Sequence, residues 1–307
     1  MHTHTNRLLL YAVFLLLAGS LLTCSDHRIS AVTPGSSTTR LRVKTITQDL
    51  PNNVVKVTSL GYDAQGRLST LYTYQSPDST VSDLEFGTYL YDSQNRLTQF
   101  RHVAVPYPRG QANRSEQYAY TYNGAGLATS LAYLNGLSLT FSYNSGNQLA
   151  SSSRQFSTGG LSISGTNSFT FTGNDLTGLG DYRTLPLRGP TGYTRSVVAY
   201  TYDTQVNPFY GLYIIPAPYP EGFVNFVSSP RTVNTYFGGT ENVLNLSQNN
   251  VLSEVTNTTT TIAGSVSTGT TTTTYQYAYN AANLPTQRQT YTNGTLAQTL
   301  RFSYESY

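Results

Sequence analysis

The side chains able to do chemistry in this 307-residue chain are few and far apart. Cys24 is the single cysteine, so it has no disulfide partner within the chain. Of four histidines, His2 and His4 precede an apolar run that reads as a cleaved signal, which leaves His27 and His102. A Ser-His-Asp arrangement would have to be built on His102, and no Cys or His spacing suits zinc. No Gly-rich loop opens a helix to cradle a phosphate, so no cofactor is expected. The 15 acidic residues are scattered and mostly sit in turn signals, although two carboxylates need only meet in space to hydrolyse a glycoside. Net charge is +3 without Lys/Arg clusters, which argues against a nucleic-acid partner. What remains is a concentration of rings. Asn207 to Phe226 (NPFYGLYIIPAPYPEGFVNF) sets Phe209, Tyr210, Tyr213, Tyr219 and Phe223 among Pro208, Pro216, Pro218 and Pro220.

The elements that must position these groups are strands. The chain has 26 Tyr, 25 Gly, no Trp and 11% charged residues, and helix formers cluster nowhere at a 3.6 spacing. In Leu137 to Tyr143 (LSLTFSY), Leu137, Leu139, Phe141 and Tyr143 face one way and Ser138, Thr140 and Ser142 the other. Tyr118, Tyr120 and Tyr122 alternate in the same way with Ala119 and Thr121. The aromatic face belongs on a core and the hydroxylated face in water. In Leu97 to Val103 (LTQFRHV) the alternation puts Arg101 on the face of Leu97, which predicts an edge or rim strand there.

Between strands one pattern recurs. Tyr62 to Leu68 reads YDAQGRL, Tyr91 to Leu97 YDSQNRL, Tyr122 to Leu127 YNGAGL and Tyr143 to Leu149 YNSGNQL. Phe171 to Leu176 (FTGNDL) and Tyr279 to Leu284 (YNAANL) are degenerate copies, and Tyr202 to Pro208 (YDTQVNP) opens one without closing it. An aromatic ends a strand and an Asp or Asn caps the turn through its own backbone. A Gly, Asn or Asp (Gly66, Asn95, Gly126, Asn147, Asp175, Asn283) then takes a left-handed conformation, and a Leu starts the return strand. The intervals between repeat aromatics each fit two strands and two turns, which makes an antiparallel meander. A sheet of more than ~10 strands curls or closes. Residues 207–239 interrupt it, since prolines at that density forbid a central strand. Their rings form either a plug over one end of the sheet or a platform that stacks on sugars or anchors a partner; the cost of leaving so much apolar surface in water favours the plug. Thr256 to Thr274 is low in complexity and reads as two strands around an exposed turn containing Gly.

Three resemblances add to this. Leu8 to Leu22 is an apolar run too short for a membrane helix, which needs ~20 residues. With the Leu21-Leu22-Thr23-Cys24 that ends it, it resembles a bacterial lipobox. That implies removal of residues 1–23, lipidation of Cys24, and attachment to a membrane through the anchor. Residues 24–40 are then a flexible tether, and Ser25 after the cysteine suits an outer-membrane lipoprotein. Tyr-Asp-x-x-Gly-Arg-Leu at Tyr62 to Leu68 looks like the YD repeat of the RHS family. The wider layout, with NPFYGL (Asn207 to Leu212), SQNNV (Ser247 to Val251) and YxYxYNxxxLP (Tyr275 to Pro285), resembles a family of porin-like bacterial lipoproteins that carries no assigned catalytic residues. The expectation is an all-β domain over 41–307, a large antiparallel meander of YD-like hairpins strongly curved or closed into a soluble, barrel-like sheet with a Pro/aromatic plug loop. A membrane-spanning barrel is disfavoured, because a Ser/Thr face is a poor lipid face. The functional expectation is a non-catalytic, lipid-anchored cell-envelope protein that is structural or binds a glycan or protein. The alternatives are a glycan-active enzyme and a ligand-free scaffold.

Overall fold

The computed structural model describes residues 41–78, 84–106, 110, 112–133, 138–158, 161–185, 192–211 and 241–307. Cys24 and the tether expected over residues 24–40 lie outside these residues. The first eight strands are β1 (Leu41–Asp49), β2 (Val55–Tyr62), β3 (Leu68–Ser76), β4 (Leu84–Tyr91), β5 (Leu97–Val105), β6 (Arg114–Tyr122), β7 (Ala128–Tyr133) and β8 (Ser138–Tyr143). The second eight are β9 (Leu149–Thr158), β10 (Leu161–Thr172), β11 (Asp175–Thr184), β12 (Gly192–Val206), β13 (Asn249–Ile262), β14 (Ser265–Tyr279), β15 (Pro285–Thr292) and β16 (Thr295–Ser306). One short helix, α1 (Glu241–Leu244), precedes β13. Each strand pairs antiparallel with the next, and β16 returns to β1, so the meander is a closed barrel. The seam runs from Leu41 opposite Ser306 to Gln48 opposite Leu300.

The alternation read from the sequence decides which side chains fill the barrel. Leu139 and Phe141 are buried while Ser138, Thr140 and Ser142 are exposed, and Tyr118 is buried while Ala119 and Thr121 are exposed. One contiguous apolar cluster runs from Val43 and Ile46 on β1 through Phe100, Leu131, Leu139 and Leu179 to Leu300 and Phe302 on β16. Outside, the hydroxyls pair across strands: Thr45 with Ser303 at 2.5 Å, Thr140 with Ser153 at 2.7 Å, Thr201 with Ser253 at 2.6 Å.

The repeat builds one rim. In the first copy the backbone N–H of Asp63 donates to Arg67 O and that of Gly66 to Asp63 O, both at 2.9 Å. Asp63 Oδ1 accepts from the N–H groups of Gln65 and Arg67. Asp92, Asn123, Asn144 and Asn280 cap their turns in the same two places. The fifth residue is left-handed in every one of these copies: Gly66, Asn95, Gly126, Asn147 and Asn283 have φ between 58° and 80°. Glycine tolerates that conformation freely and asparagine nearly so.

Three readings need correction. The register places Ala128, not Leu127, opposite Tyr122, so Leu127 stands where the first copy has Arg67. The Phe171 to Leu176 copy is a two-residue turn in which Gly173 (φ 60°), not Asp175, is left-handed. And β5 is no edge or rim strand: Leu90 pairs with Gln99 but Tyr91 with Leu97, so Thr98 bulges and the alternation flips there. Arg101 therefore points out and Phe100 in, although Leu97 also packs on the core. The same extra residue follows the other repeat turns, and in all but the Asn144 turn, where it is Ala150, a hydroxyl there caps a strand carbonyl, as from Ser69 to Gly61 O, Thr98 to Leu90 O, Thr177 to Thr170 O and Thr286 to Ala278 O.

Tyrosines at this rim reach back to the return strand before them, those of the repeat and Tyr304 of β16 alike. Tyr91 donates to Leu68 O at 2.7 Å, Tyr122 to Leu97 O at 2.5 Å, Tyr143 to Ala128 O at 2.8 Å, and Tyr304 to Pro285 O at 2.7 Å. Burial pushes the hydroxyls of Tyr62, Tyr91 and Tyr304 well above the usual phenol range. Tyr91→Phe deletes one such bond and leaves a carbonyl unsatisfied, and we expect it to lower unfolding stability by ~1–2 kcal/mol in urea titration. A loss under ~0.3 kcal/mol would mean that water replaces the phenol at no cost.

Candidate functional site

The interruption between β12 and β13 is where the rim departs from its repeat. Val206 ends β12 and Asn207 turns the chain inward: its backbone N–H donates to Gln248 O at 2.7 Å, and its side-chain amide to Leu244 O and Ser247 O. Its Oδ1 caps the N–H of Phe209 at 2.9 Å. Ser247 to Asn250 are held from several strands at once. Ser247 Oγ accepts from the N–H of Leu176 at 3.0 Å and lies 2.8 Å from the hydroxyl of Tyr202. Asn249 N–H donates to Asp175 Oδ1, and Asn250 N–H to Asp203 Oδ1. Tyr279 donates to the other oxygen of Asp203, where its counterparts meet a backbone carbonyl. Burial first, and then the aspartate, push the Tyr279 hydroxyl far up.

The two motifs clasp each other, and the clasp seats Val243, Leu244 and Leu246 in the apolar core. Phe209 follows, half-buried, its ring 5.6 Å from that of Phe302. Tyr210 remains 43% exposed. Burial raises its hydroxyl's pKa, with the Asp175 charge adding to the shift. Tyr213, Tyr219 and Phe223 lie outside the described residues. Of the five ring residues singled out from sequence, Phe209 packs against the core and Tyr210 faces out. Beneath the clasp is a cavity of about 30 Å³ lined by Asn207, Phe209, Asn245, Asn250, Tyr277 and Arg288 among others, room for one or two waters.

Sequence reading missed the polar groups inside the barrel. Arg154 on β9 and Asp181 on β11 pair at 3.0 Å with each side chain 1% exposed. Asn167 on β10 bridges them, donating to Asp181 at 2.7 Å and accepting from Ser152 at 3.0 Å. Arg183 lies 3.7 Å from the second oxygen of Asp181. The guanidinium of Arg154 runs across Gly165, where a Cβ would fall 2.6 Å from its Nε, so that glycine makes the room. On another arc of the wall, Lys56 donates to Glu85 at 2.8 Å and His102 Nε2 sits 3.4 Å from the other oxygen of Glu85. His102 thus meets a carboxylate, with Phe100 stacked on its ring 6.2 Å away. A third group, Glu254, accepts from Thr256 at 3.1 Å and Tyr275 at 3.5 Å, and burial raises its carboxyl's pKa above the usual carboxylate range. A sequence signal existed for all three. Arg154, Asp181, Glu85 and Glu254 lie within strands rather than in turn signals, and Arg154 and Asp181 share the parity of their buried neighbours Ser152 and Leu179.

Four further carboxylates are engaged nearer the surface. Asp63 pairs with Arg67 and Asp92 with Arg96 within turns, Glu305 with Arg42 and Asp49 with Arg301 across the seam. The backbone N–H and guanidinium of Arg96 hold the Asp92 carboxyl below its ordinary range. These are cross-links between neighbouring segments, and no described pair faces a cleft together.

Fold and site together define an antiparallel 16-stranded barrel with a filled interior and a clasped rim. The sequence matches no protein-family model and no curated protein sequence. Among solved structures it is similar to a porin-like protein from Bacteroides uniformis ATCC 8492, at 14% identity over 85% of this chain and 95% of that one, with a TM-score of 0.46. A porin-like protein from Bacteroides vulgatus ATCC 8482 aligns at 15% identity over 86% and 98% of the two chains, with a TM-score of 0.41. A TcdB2-TccC3-TEV structure aligns at 12% identity over 82% of this chain and 15% of that one, with a TM-score of 0.26.

Arg154→Ala strands the Asp181 carboxylate in the interior, and we expect it to cost ~3–5 kcal/mol of stability by denaturant titration. Phe209→Ala loosens the plug and should cost ~2–4 kcal/mol, whereas Tyr210→Ala should leave the melting temperature nearly unchanged. Glu254→Gln tests a sign. A carboxyl whose pKa rises on folding stabilises the fold below its unfolded value, and that contribution is lost as pH climbs through the folded one. The amide variant should therefore melt higher than the parent at pH 7, and the difference should vanish near pH 4.

Proposed function

We propose that this chain is a non-catalytic, lipid-anchored protein of the cell envelope whose barrel is a closed scaffold rather than a pore. The observation that carries the reading is the filled interior: strands all around the barrel, and the helix and loop at its rim, contribute to one apolar cluster. A conducting barrel needs a polar lumen and an apolar outer band. Here the apolar cluster lies inside, and the outer wall carries hydroxyl ladders together with Arg101, Arg195 and the Arg301–Asp49 pair, which break up its scattered exposed apolar side chains such as Phe86, Leu90 and Val197. Such a wall suits water and suits a lipid tether, which the lipobox-like Leu21-Leu22-Thr23-Cys24 supplies. The resemblance of the Tyr62 to Leu68 turn to RHS-type repeats agrees with a shell-building role. An outer-membrane address rests on Ser25 after the cysteine. Glycan or protein recognition on the plug is the second reading, and exposed Tyr210 favours it.

Three measurements bear on this. Globomycin, or Cys24→Ala, should leave unprocessed precursor in a bacterial host; normal processing would remove the anchor. Residues 41–307 should stay monodisperse without detergent, and addition to planar bilayers should give no conductance steps. Reproducible single-channel steps would replace the scaffold by a pore.

A further inference from the structure

Closure removes free strand edges everywhere the sixteen strands match in length, but β14 overshoots its neighbour. It pairs with β13 from Ser265 to Thr274, and with β15 only from Thr273 onward. At the limit, Asn293 of the β15–β16 turn caps Thr272: Thr272 N–H donates to Asn293 Oδ1 at 2.9 Å and Thr272 O accepts from Asn293 N–H at 2.8 Å. Among the described residues, no strand pairs with the outer edge of Ser265 to Thr271. Every one of those residues is exposed, so both faces of the hairpin tip stand clear of the barrel, and Val266 is 64% exposed. Because backbone groups alternate sides along a strand and those of Thr272 point away from β13, the N–H and C=O groups of Val266, Thr268 and Thr270 point to the open edge as well.

Proteins normally protect such an edge with lysine, proline, a bulge or an inward charge. This one has none of them: Thr256 to Ala278 contains no charged residue and no proline. We propose that the β14 edge from Val266 to Thr270 pairs with the same edge of a second copy of this chain, antiparallel, about a two-fold axis at Thr268. The edge is self-complementary. Thr268 falls opposite Thr268 and Val266 opposite Thr270, all in hydrogen-bonded positions, which gives about six new backbone bonds. No like charges oppose, and hydroxylated and β-branched side chains meet across the junction as hydroxyls do within the chain, where Thr194 pairs with Thr260 and Ser196 with Thr258. The result is one sheet running from barrel to barrel, and it depends on neither the lipid anchor nor the plug.

The register gives a direct test in whole cells expressing the full chain. Opposed residues in such a pair have Cα atoms ~5.5 Å apart, within disulfide range. Thr268→Cys should therefore form a covalent dimer with copper phenanthroline, several-fold more than Thr259→Cys on the neighbouring strand or the parent with Cys24 alone. Val266→Pro, which removes an N–H that faces the open edge and not β13, should abolish that dimer in the Thr268→Cys background while purified protein keeps its melting temperature. A Thr268→Cys dimer no more abundant than the Thr259→Cys control, a dimer indifferent to Val266→Pro, or cross-linking only to a chain of different mass would each overturn the proposal.

Discussion

The closure of this barrel depends on a tyrosine hydroxyl reaching a backbone carbonyl one hairpin back. A turn by itself fixes only two strands, and sixteen strands in a row would accumulate error in register and tilt. Where a repeat ends in tyrosine, the phenol measures the distance to the previous return strand and locks it by a part-buried bond, from Tyr91 to Leu68, Tyr122 to Leu97 and Tyr143 to Ala128. Each bond contributes only ~1 kcal/mol net, yet its absence would leave a polar group in the core, so the geometry is enforced more strongly than that figure implies. Links also run forward. Arg67 spans from its own Asp63 to Asn95 of the next turn and lies over the Tyr91 ring, and Gln148 donates to Gly173 O. Successive turns are therefore tied in both directions.

The β12–β13 connection shows what happens when one turn is missing. Tyr202 and Asp203 open the repeat, but Val206 holds the place of the left-handed residue without that conformation, and Asn207-Pro208 follows where the return strand should begin. Asp203 then has no turn of its own to cap in full. It still caps Gln205, and its remaining capacity goes to Asn250 and Tyr279 from other segments. The loop that replaces the turn fills the space with Phe209 and the α1 side chains. The segments Asn207 to Gly211 and Ser247 to Val251 are thus two halves of one structural clasp, with Ser247 bonded to both Leu176 and Tyr202.

The sequence made the local chemistry legible and concealed what depends on distance. Asx caps and left-handed fifth residues follow from side-chain and backbone sterics within seven positions, so the turns could be read directly. The bulges could have been read too, because Ser69, Thr98, Thr177 and Thr286 follow the closing residue with a hydroxyl that caps the opposite strand. Ignoring that extra residue is what misplaced Arg101. Other features had no local signature. The seam joins segments more than 250 residues apart, as Arg42 with Glu305 shows. The Arg154, Asn167 and Asp181 cluster needs three strands in register before any of its members has a partner. Within the plug, Phe209 and Tyr210 are neighbours of like hydrophobicity, and only the tertiary clasp separates them into a packed ring and an exposed one.

The two rims of the barrel are therefore under different constraints. On the turn rim, the phenol, the Asx cap and the left-handed residue fix hairpin length to the residue, since one more or one fewer would detach the tyrosine from its carbonyl. At the opposite rim the connections are of mixed kind, from the two-residue turns Ala263-Gly264 and Asn293-Gly294, with φ of 50° and 83° and of 48° and 81°, to the longer β1–β2 loop with Asn52 and Asn53 at 62° and 58°. Among the described residues no such staple ties their heights together, and β13 and β14 can run past β15 with Asn293 marking the step. The interior follows the same division. Aromatic and leucine side chains crowd beneath the stapled turns, where the backbone is most constrained. Inward groups farther along the strands, such as Glu85, Arg154 and Asp181, answer one another across neighbouring strands instead. A fold built from one repeated turn thus spends its sequence specificity at one end and leaves the other end free to vary in length and chemistry.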